Sequence, residues 1–353
     1  PTPITEEGPT KWGVFGKKLW WAGVLLGVTL LFVLSYMVSS SSLLSRPAAT
    51  LDPIYASLLK QDWEELAALP HPRSSGASVT YDNYVFLIAG ETSNGVTNLV
   101  ERYDPESNAW TQLADKATPV KDVSAVRIGE KIYVPGGVTA SGKNTRNLEV
   151  YDPRKDIWEL KSELPVAVSG YALAAYEGEM YLFGGWDGNK VLDSVLRYDP
   201  TSDTWHEGAR MPVARAYAGI AQVNGAILII GGWDGKLTMA SCYRYNPSRD
   251  LEGEDAWETL SPLIEPEKHI GVQSQTNIVY VAGLESMYQS NTQNNLWSQL
   301  VMDSYETGLT DSMLVELNGY LYKLGGRNLD KGIVGSYSRL MITYTIMLPI
   351  INK

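Results

Sequence analysis

The sequence predicts an all-β fold of six repeated four-stranded antiparallel sheets, preceded by one transmembrane α-helix. Three observations predict it: glycine pairs and tryptophans that recur with one period, short apolar segments between turn signals, and one long apolar segment near the N-terminus. The chain has 353 residues, of which 44% are hydrophobic and 20% are charged. This composition is typical of a globular protein, and the length allows one large domain or two ordinary ones.

Charge and residue counts exclude several function classes. The formal net charge is −11, and no stripe of Lys and Arg recurs along the repeats, so we expect no nucleic-acid partner. One cysteine, Cys242, cannot form an internal disulfide. The three histidines, His71, His206 and His269, lack the spacing of a local metal motif. We therefore predict no metal, no cofactor and no catalytic residues, with an enzyme less expected than a binding protein.

The long apolar segment covers residues 19–38, "LWWAGVLLGVTLLFVLSYMV", and contains no charge. About 20 apolar residues are needed to cross a bilayer as a helix. Trp20, Trp21 and Tyr36 lie near its ends, where amphipathic rings favour the headgroup zones. A cleaved signal peptide is the main alternative, but its apolar core is normally shorter. We interpret the segment as an anchor that is retained.

The charges that flank this segment predict its orientation. Three lysines precede it and one arginine follows nearby, namely Lys11, Lys17, Lys18 and Arg46. The positive-inside rule then makes residues 1–18 a cytoplasmic tail and places the repeats outside the cytoplasm, periplasmic or at the cell surface. Residues 39–61 form a linker, in which "DPIYASLLK" is compatible with a short helix.

The apolar segment also carries Gly23 and Gly27, four residues apart. This spacing allows helices to approach closely in lipid. We therefore expect membrane lipid and other membrane-protein subunits as partners. A large electron-transfer or photosynthetic complex is one host compatible with this prediction, although no residue selects it.

The repeat is defined by two markers that share one period. Glycine pairs, or an Ala-Gly variant, end at positions that are 47, 48, 47, 51 and 43 residues apart: Gly90, Gly137, Gly185, Gly232, Gly283 and Gly326. Six tryptophans follow in step: Trp63, Trp110, Trp158, Trp205, Trp257 and Trp297. Self-similarity at such a period indicates a repeat architecture.

Each repeat predicts four strands. In the third repeat these are "GYALAAY", "EMYLFGG", "SVLRYDP" and "TWHEGARMP". Such closely spaced turn signals favour antiparallel pairing and leave no room for crossover helices. The glycine pair ends the second strand, where it permits close approach of a neighbouring backbone. Tyr-Asp-Pro suits the turn after the third strand, and the Trp begins the fourth.

The pattern of a hydrophobic residue with Gly-Gly, then Tyr-Asp-Pro, then Trp resembles the kelch repeat. The resemblance implies a β-propeller with one four-stranded sheet per blade. It covers residues 62–353, although the fifth repeat lacks Tyr-Asp-Pro and the sixth lacks both Tyr-Asp-Pro and the final Trp. The segment "DWEELAALP" at Asp62–Pro70 reads as a fourth strand without a preceding three. We therefore predict six blades, with this N-terminal strand completing the sixth.

The resemblance also suggests where a partner binds. Kelch modules often bind through the loops between second and third strands and through the segments that enter the first strands. Six residues match these positions: Arg73, Lys121, Trp186, Arg215, Trp233 and Arg327. Such side chains would suit an acidic or carboxylate-bearing segment, or they are solvated surface. The repeated "GGWDG" leaves two alternatives: exposed aromatic anchors, or hairpins whose Trp packs over its own blade.

Two functions follow. The first is a membrane-anchored interaction or scaffolding module, an accessory subunit of a larger membrane complex. The alternative is an extracytoplasmic sugar-binding propeller resembling sialate mutarotase, for which Glu91, Arg73 and Arg215 are the candidate groups. A deep polar pocket on the axis would favour the alternative.

Overall fold

The computed structural model describes residues 62–302 and 305–342. The predicted tail, the apolar segment and the linker lie outside the described residues, and so do Gly23 and Gly27. The predicted membrane span is therefore not tested. Within the described ranges, no helix is long and apolar enough to cross a membrane. The described residues form six four-stranded antiparallel sheets and two smaller ones. Each large sheet is called a blade, and blades are numbered along the chain.

The first strand of the chain, β1 (Glu64–Glu65), belongs to the last blade. Blade 1 contains β2 (Ala77–Tyr81), β3 (Tyr84–Thr92), β4 (Gly95–Asp104) and β5 (Ala109–Gln112). A short pair, β6 (Val120–Lys121) with β9 (Val138–Thr139), flanks blade 2. Blade 2 contains β7 (Val126–Ile128), β8 (Lys131–Pro135), β10 (Leu148–Asp152) and β11 (Ile157–Lys161). Blade 3 contains β12 (Ala172–Tyr176), β13 (Glu179–Phe183), β14 (Val195–Asp199) and β15 (Thr204–Gly208).

The remaining blades repeat this order. Blade 4 contains β16 (Gly219–Val223), β17 (Ala226–Ile230), β18 (Cys242–Tyr245) and β19 (Trp257–Leu260), with helix α1 (Pro247–Leu251) before its last strand. Blade 5 contains β20 (Gly271–Gln275), β21 (Ile278–Ala282), β22 (Met287–Asn291) and β23 (Leu296–Leu300). A small sheet contains β24 (Leu309–Thr310), β27 (Arg327–Asn328) and β28 (Gly332–Ile333). Blade 6 contains β25 (Met313–Leu317), β26 (Tyr320–Leu324), β29 (Tyr337–Met341) and β1.

The core consists of apolar clusters between neighbouring blades. One cluster joins each consecutive pair of blades, and another joins blade 6 to blade 1 through Leu324 and Val85. Both faces of an inner strand are therefore covered, so β17 is buried at all five positions. Burial on both faces explains why the second strands read as continuous apolar runs rather than alternating ones.

The predicted closure of the ring is confirmed. Glu64 pairs with Arg339 and Glu65 with Ser338, so β1 is the outer strand of blade 6. The guanidinium of Arg339 lies 2.7 Å from the carboxylate of Glu64. Closure in this way leaves the first and last blades without a free interface.

The glycine pairs allow neighbouring blades to approach, as the sequence predicts. Gly184 has φ of +60°, and a Cβ there would lie 2.3 Å from the carbonyl oxygen of Arg215 in the next blade. The adjacent N–H of Gly185 donates to that same carbonyl at 2.9 Å. The N–H of Gly326 likewise donates to the carbonyl of Arg73 at 3.0 Å, which links blade 6 to blade 1. Only glycine combines this conformation with so close an approach.

A second link, called the outer latch, joins the outer strands of neighbouring blades. In blade 3, Asp203 accepts hydrogen bonds from the Tyr198 hydroxyl and from the N–H of Ser162 in blade 2. The Trp205 indole donates to the carbonyl of the same Ser162 at 3.0 Å. Blades 1, 2 and 4 have the same latch, with Asn108, Asp156 and Asp250 as acceptors. The recurring Tyr and Trp of the repeat therefore make contacts between blades.

Candidate functional site: the loop face of the propeller

One end of the propeller carries the segments that enter the first strands and the loops between second and third strands. We call this end the loop face. On it, one residue from each blade has a left-handed φ between 54° and 58°: Ser75, Asp122, Gly170, Tyr217, His269 and Asp311. Each donates its N–H to the carbonyl of the residue before it in the ring, at 2.6–3.3 Å, and Ser75 donates to Asp311. We call this closed cycle of six hydrogen bonds the axial ring.

The side chains of the axial ring contact one another around the axis. His269 Nδ1 lies 2.5 Å from Asp311 Oδ1, and the hydroxyl of Thr310 donates to the other carboxylate oxygen. The rings of Tyr217 and His269 stack with centroids 4.0 Å apart. Tyr217 also covers Gly170, where a Cβ would lie 2.6 Å from the tyrosine ring. The mouth of the propeller is thus lined by a network of polar and aromatic groups.

The two carboxyl groups of the axial ring have opposite pKa shifts. Burial, and then the charge of Asp311, raises the pKa of Asp122. Burial would also raise the pKa of Asp311, but the hydrogen bond and charge of His269 hold that pKa below its ordinary value. Burial, with the charges of both carboxylates, raises the pKa of Tyr217 to about 12. The surroundings therefore favour the anionic form of Asp311 and disfavour the anionic form of Asp122.

Below the ring lies an axial cavity of about 590 Å³, lined by the first strands of all six blades. The residues that follow the axial ring by three positions in the sequence also line the cavity. They are largely apolar and include Leu173, Ile220 and Leu314. Glu91, Arg73 and Arg215, the groups considered for a sugar site, do not line the cavity within the described propeller. The structure therefore does not bring that predicted set together around a pocket.

Lys121 and Arg327 are brought together by a residue that the interaction-site prediction omitted. Glu91 lies 2.8 Å from the ammonium of Lys121 and 2.8 Å from the guanidinium of Arg327. These groups come from blades 2, 1 and 6, so the bridge crosses two blade boundaries. Arg327 remains 42% exposed, which leaves part of its guanidinium open to solvent. Lys121 and Arg327 thus lie together on the loop face.

Arg73 and Arg215 are placed differently, because the side chains of both are buried inside the propeller. Arg73 is fully buried against Glu101 at 2.8 Å, and burial lowers its pKa to about 10, against the opposing charge of Glu101. Arg215 donates to the carbonyls of Gly231 and Ser241 and lies over the Tyr243 ring. A partner on the surface cannot reach either guanidinium without opening the blades. We therefore omit both from the proposed binding surface.

Trp186 and Trp233 combine the two alternatives left open by the sequence. Each is half-buried on the loop face, and their ring centroids are 5.9 Å apart across the boundary of blades 3 and 4. The aspartates that follow them, Asp187 and Asp234, accept backbone N–H groups within their own turns. The Asp-Gly pairs therefore form the turns, while the tryptophan rings contact each other rather than only their own blades.

No group of three His, Cys, Asp or Glu side chains in residues 62–302 and 305–342 is arranged to hold a metal ion. His71 contacts Glu101, and Cys242 is buried. His269 is the histidine that lies in the axial ring, a role the sequence reasoning missed. A signal was available, because the ring residue precedes the second glycine by 15 residues in five blades and by 14 in the fifth. Its chemical identity differs from blade to blade, so no motif marks it.

Six four-stranded antiparallel sheets around an axial cavity define the class of this protein as a β-propeller. A model of the KLHDC2/KLHL20/DRC7 Kelch-repeats domain matches residues 114–283, and a Kelch motif model matches residues 72–117. The propeller therefore belongs to the kelch-repeat family.

Known relatives agree with this family, and a solved structure agrees with the fold. The chain is 32% identical to human Kelch-like protein 34 over 136 residues, which cover 35% of this chain and 21% of the relative. It is 33% identical to mouse Kelch-like protein 23 over 111 residues, covering 31% and 19% of the two chains. The chain thus spans about a fifth of the length of these relatives. The solved structure of YjhT is similar with a TM-score of 0.69 and 17% identity, covering 80% of this chain and 98% of that one.

Proposed function

We propose that the kelch-repeat propeller is a protein-interaction module that binds its partner on the loop face. One observation carries this proposal. Four of the predicted interaction residues, Lys121, Trp186, Trp233 and Arg327, lie on that face with part of each side chain exposed. The surface is built on loops that are fixed to rigid blades, which is where binding residues are typically placed.

The chemistry of the face suits a protein partner. Aromatic rings and arginine are enriched among the residues that dominate interface energetics. Glu91 holds Lys121 and Arg327 in place without covering Arg327. Such preorganised groups lose little conformational freedom when a partner binds.

A photo-crosslinking amino acid placed at Arg327 in the full chain tests this proposal, in the cells that make the protein. We expect covalent adducts with a partner protein. The matched control places the same group at Lys155, which lies in the turn between β10 and β11 at the opposite end of blade 2 and is 70% exposed. Adducts that form equally at both positions, or at neither, would contradict a partner on the loop face.

We extend the proposal to the membrane: residues 19–38 anchor the chain with its N-terminus in the cytoplasm, and the protein is an accessory subunit of a larger membrane complex. The sequence of the segment and its flanking lysines supports this placement. Protease added to intact cells should digest the propeller, and protection until lysis would refute the orientation.

Gly23→Leu and Gly27→Leu should reduce the mass of the complex extracted in mild detergent. An unchanged mass would contradict helix packing through these glycines.

A further inference from the structure

We infer that the axial cavity binds a small organic ammonium compound, with its charge at the axial ring and its apolar body below the ring. The inference does not rest on the proposed function, because it concerns the interior of the propeller rather than the residues offered to a partner protein. Two independent features carry it, namely an excess of negative charge at the mouth of the cavity and an apolar wall behind that charge.

The mouth of the cavity carries more carboxyl groups than cationic groups. The axial ring contains Asp122 and Asp311, and its one ionisable base is His269. His269 Nδ1 lies 2.5 Å from Asp311 Oδ1, so a positive charge on this imidazole is already paired. Among the described residues, no cationic nitrogen lies within 4.0 Å of the Asp122 carboxylate. The neighbouring Lys121 has its ammonium 2.8 Å from Glu91 instead.

The unpaired carboxyl group of Asp122 is unfavourable for the empty propeller. Burial first, and then the charge of Asp311, raises its pKa. The charges of Lys121 and His269 and the Ser75 hydroxyl offset only part of this effect. Asn tolerates the left-handed conformation of this position as well as Asp does and carries no charge. A buried carboxyl group that costs stability is typical of a functional site, and a bound ammonium would supply the missing positive charge.

The wall of the cavity selects an organic ligand. The volume of about 590 Å³ lies within the range of small-molecule sites, roughly 300–1,000 Å³. Leu173, Ile220 and Leu314 line the cavity three positions after the axial ring, and three residues of extended chain span about 10 Å. The lining becomes polar again two positions later, at Arg127 and Glu316. An inorganic cation would leave the apolar stretch uncovered, whereas an alkyl body would remove it from water.

Calorimetric titration of the full chain at pH 7 with hexylammonium tests this inference, with three matched probes. Hexanol keeps the alkyl body without the charge and should bind about 20-fold more weakly. Butylammonium keeps the charge with two methylenes fewer and should bind about 15-fold more weakly. Hexanoate reverses the charge and should show no binding. Failure of hexylammonium to bind, or equal affinity for hexylammonium and hexanol, would overturn the inference.

Two variants place the charge contact. Asp122→Asn should weaken hexylammonium binding by about 20-fold and leave the affinity for hexanol unaltered. The variant is expected to fold, because it removes a buried charge. Glu207→Gln neutralises an exposed carboxylate on β15, the outer strand of blade 3, and should change neither affinity. Equal effects of the two variants on hexylammonium would overturn the assignment to the axial ring.

A lysine side chain of a partner protein has the same ammonium chemistry, and one further probe distinguishes this source. N-acetyl-lysine amide presents that side chain with a polar backbone in place of an apolar end. We expect it to bind more weakly than hexylammonium, because the cavity wall is apolar. Tighter binding of the lysine derivative would assign the mouth to a protein partner and overturn the small-molecule site. Crosslinks from Arg327 test the proposed function independently of all these titrations.

Discussion

Replacing Asp203 with Ala tests whether the outer latch holds the blades together. The change removes the acceptor for the Tyr198 hydroxyl at 2.6 Å and for the Ser162 N–H at 2.9 Å. Hydrogen bonds to a charged group contribute about 1.5–3 kcal/mol each, and the Ser162 bond is exposed, so we expect a loss near the lower end for that bond. Asp203 also has a φ of +54°, which Ala adopts at a cost of about 1 kcal/mol. The total expected loss in the free energy of unfolding is roughly 4 kcal/mol.

The measurement is thermal unfolding of the full chain followed by circular dichroism, with Asp203→Asn as the control. Asn keeps an acceptor oxygen and tolerates the left-handed conformation, and Asn108 already performs this role in blade 1. We expect Asp203→Ala to lower Tm by about 8 °C and Asp203→Asn to lower it by about 2 °C or less. Equal losses for the two variants would refute the latch as a hydrogen-bonding device.

The same pair has a predicted pH dependence. The Tyr198 hydroxyl is the main cause that lowers the pKa of Asp203, opposed by burial and assisted by the Ser162 N–H. A carboxylate with a lowered pKa stabilises the fold above its unfolded pKa and loses that contribution as pH falls through the folded value. The advantage of Asp203 over Asn should therefore shrink in acid.

Three further predictions concern the closure of the propeller, the contact between blades and the axial ring. Deleting β1 with its flanking residues should abolish cooperative melting and promote aggregation, because β29 becomes a free edge; unchanged melting would contradict closure. Gly184→Ala should cost about 3 kcal/mol or more, since its Cβ meets a backbone oxygen at 2.3 Å, whereas Gly188→Ala has open space and should cost about 1 kcal/mol; denaturant unfolding would distinguish them. Asp122→Asn should raise Tm at pH 7, with a gain that narrows as pH falls through the raised pKa, and Asp311→Asn should lower Tm; shifts of the same sign would contradict the assigned roles.

The repeat predicted much of the fold because its markers have local physical causes. The glycine pairs, the Tyr-Asp-Pro turn and the Trp each correspond to a fixed place in a blade, so strand order and blade closure followed from counting. Helix α1 was not predicted, although the spacing from Trp205 to Trp257 is longer than the other spacings. Asp250 in that helix still supplies the latch to Tyr245 and Ala209. The insertion therefore changes the length of the repeat without changing the contact between blades.

The candidate site was harder to predict because the side chains that meet in it come from residues that are far apart in the sequence. Glu91, Lys121 and Arg327 are 30 residues or more apart in the chain, and their bridge depends on the ring being closed. The contact between Trp186 and Trp233 likewise joins equivalent positions of two repeats. A repeat period identifies equivalent positions, but it does not state the distance between them.

Arg73 and Arg215 occupy a position of the repeat whose residue is buried in every blade. Both lie two residues before the axial ring, and all six residues at that position are buried: Arg73, Val120, Val168, Arg215, Glu267 and Leu309. Three of these are apolar, which is the signature of an interior position and is visible without coordinates. The residue one position later includes the accessible Lys121 and Lys268. At this later position Ser74, Ser169 and Ala216 are buried, so a partner can reach the side chain in only some blades, whereas the position before it is buried in all six. Charge at a kelch entry segment therefore indicates a binding surface only when its distance from the glycine pair excludes the buried position.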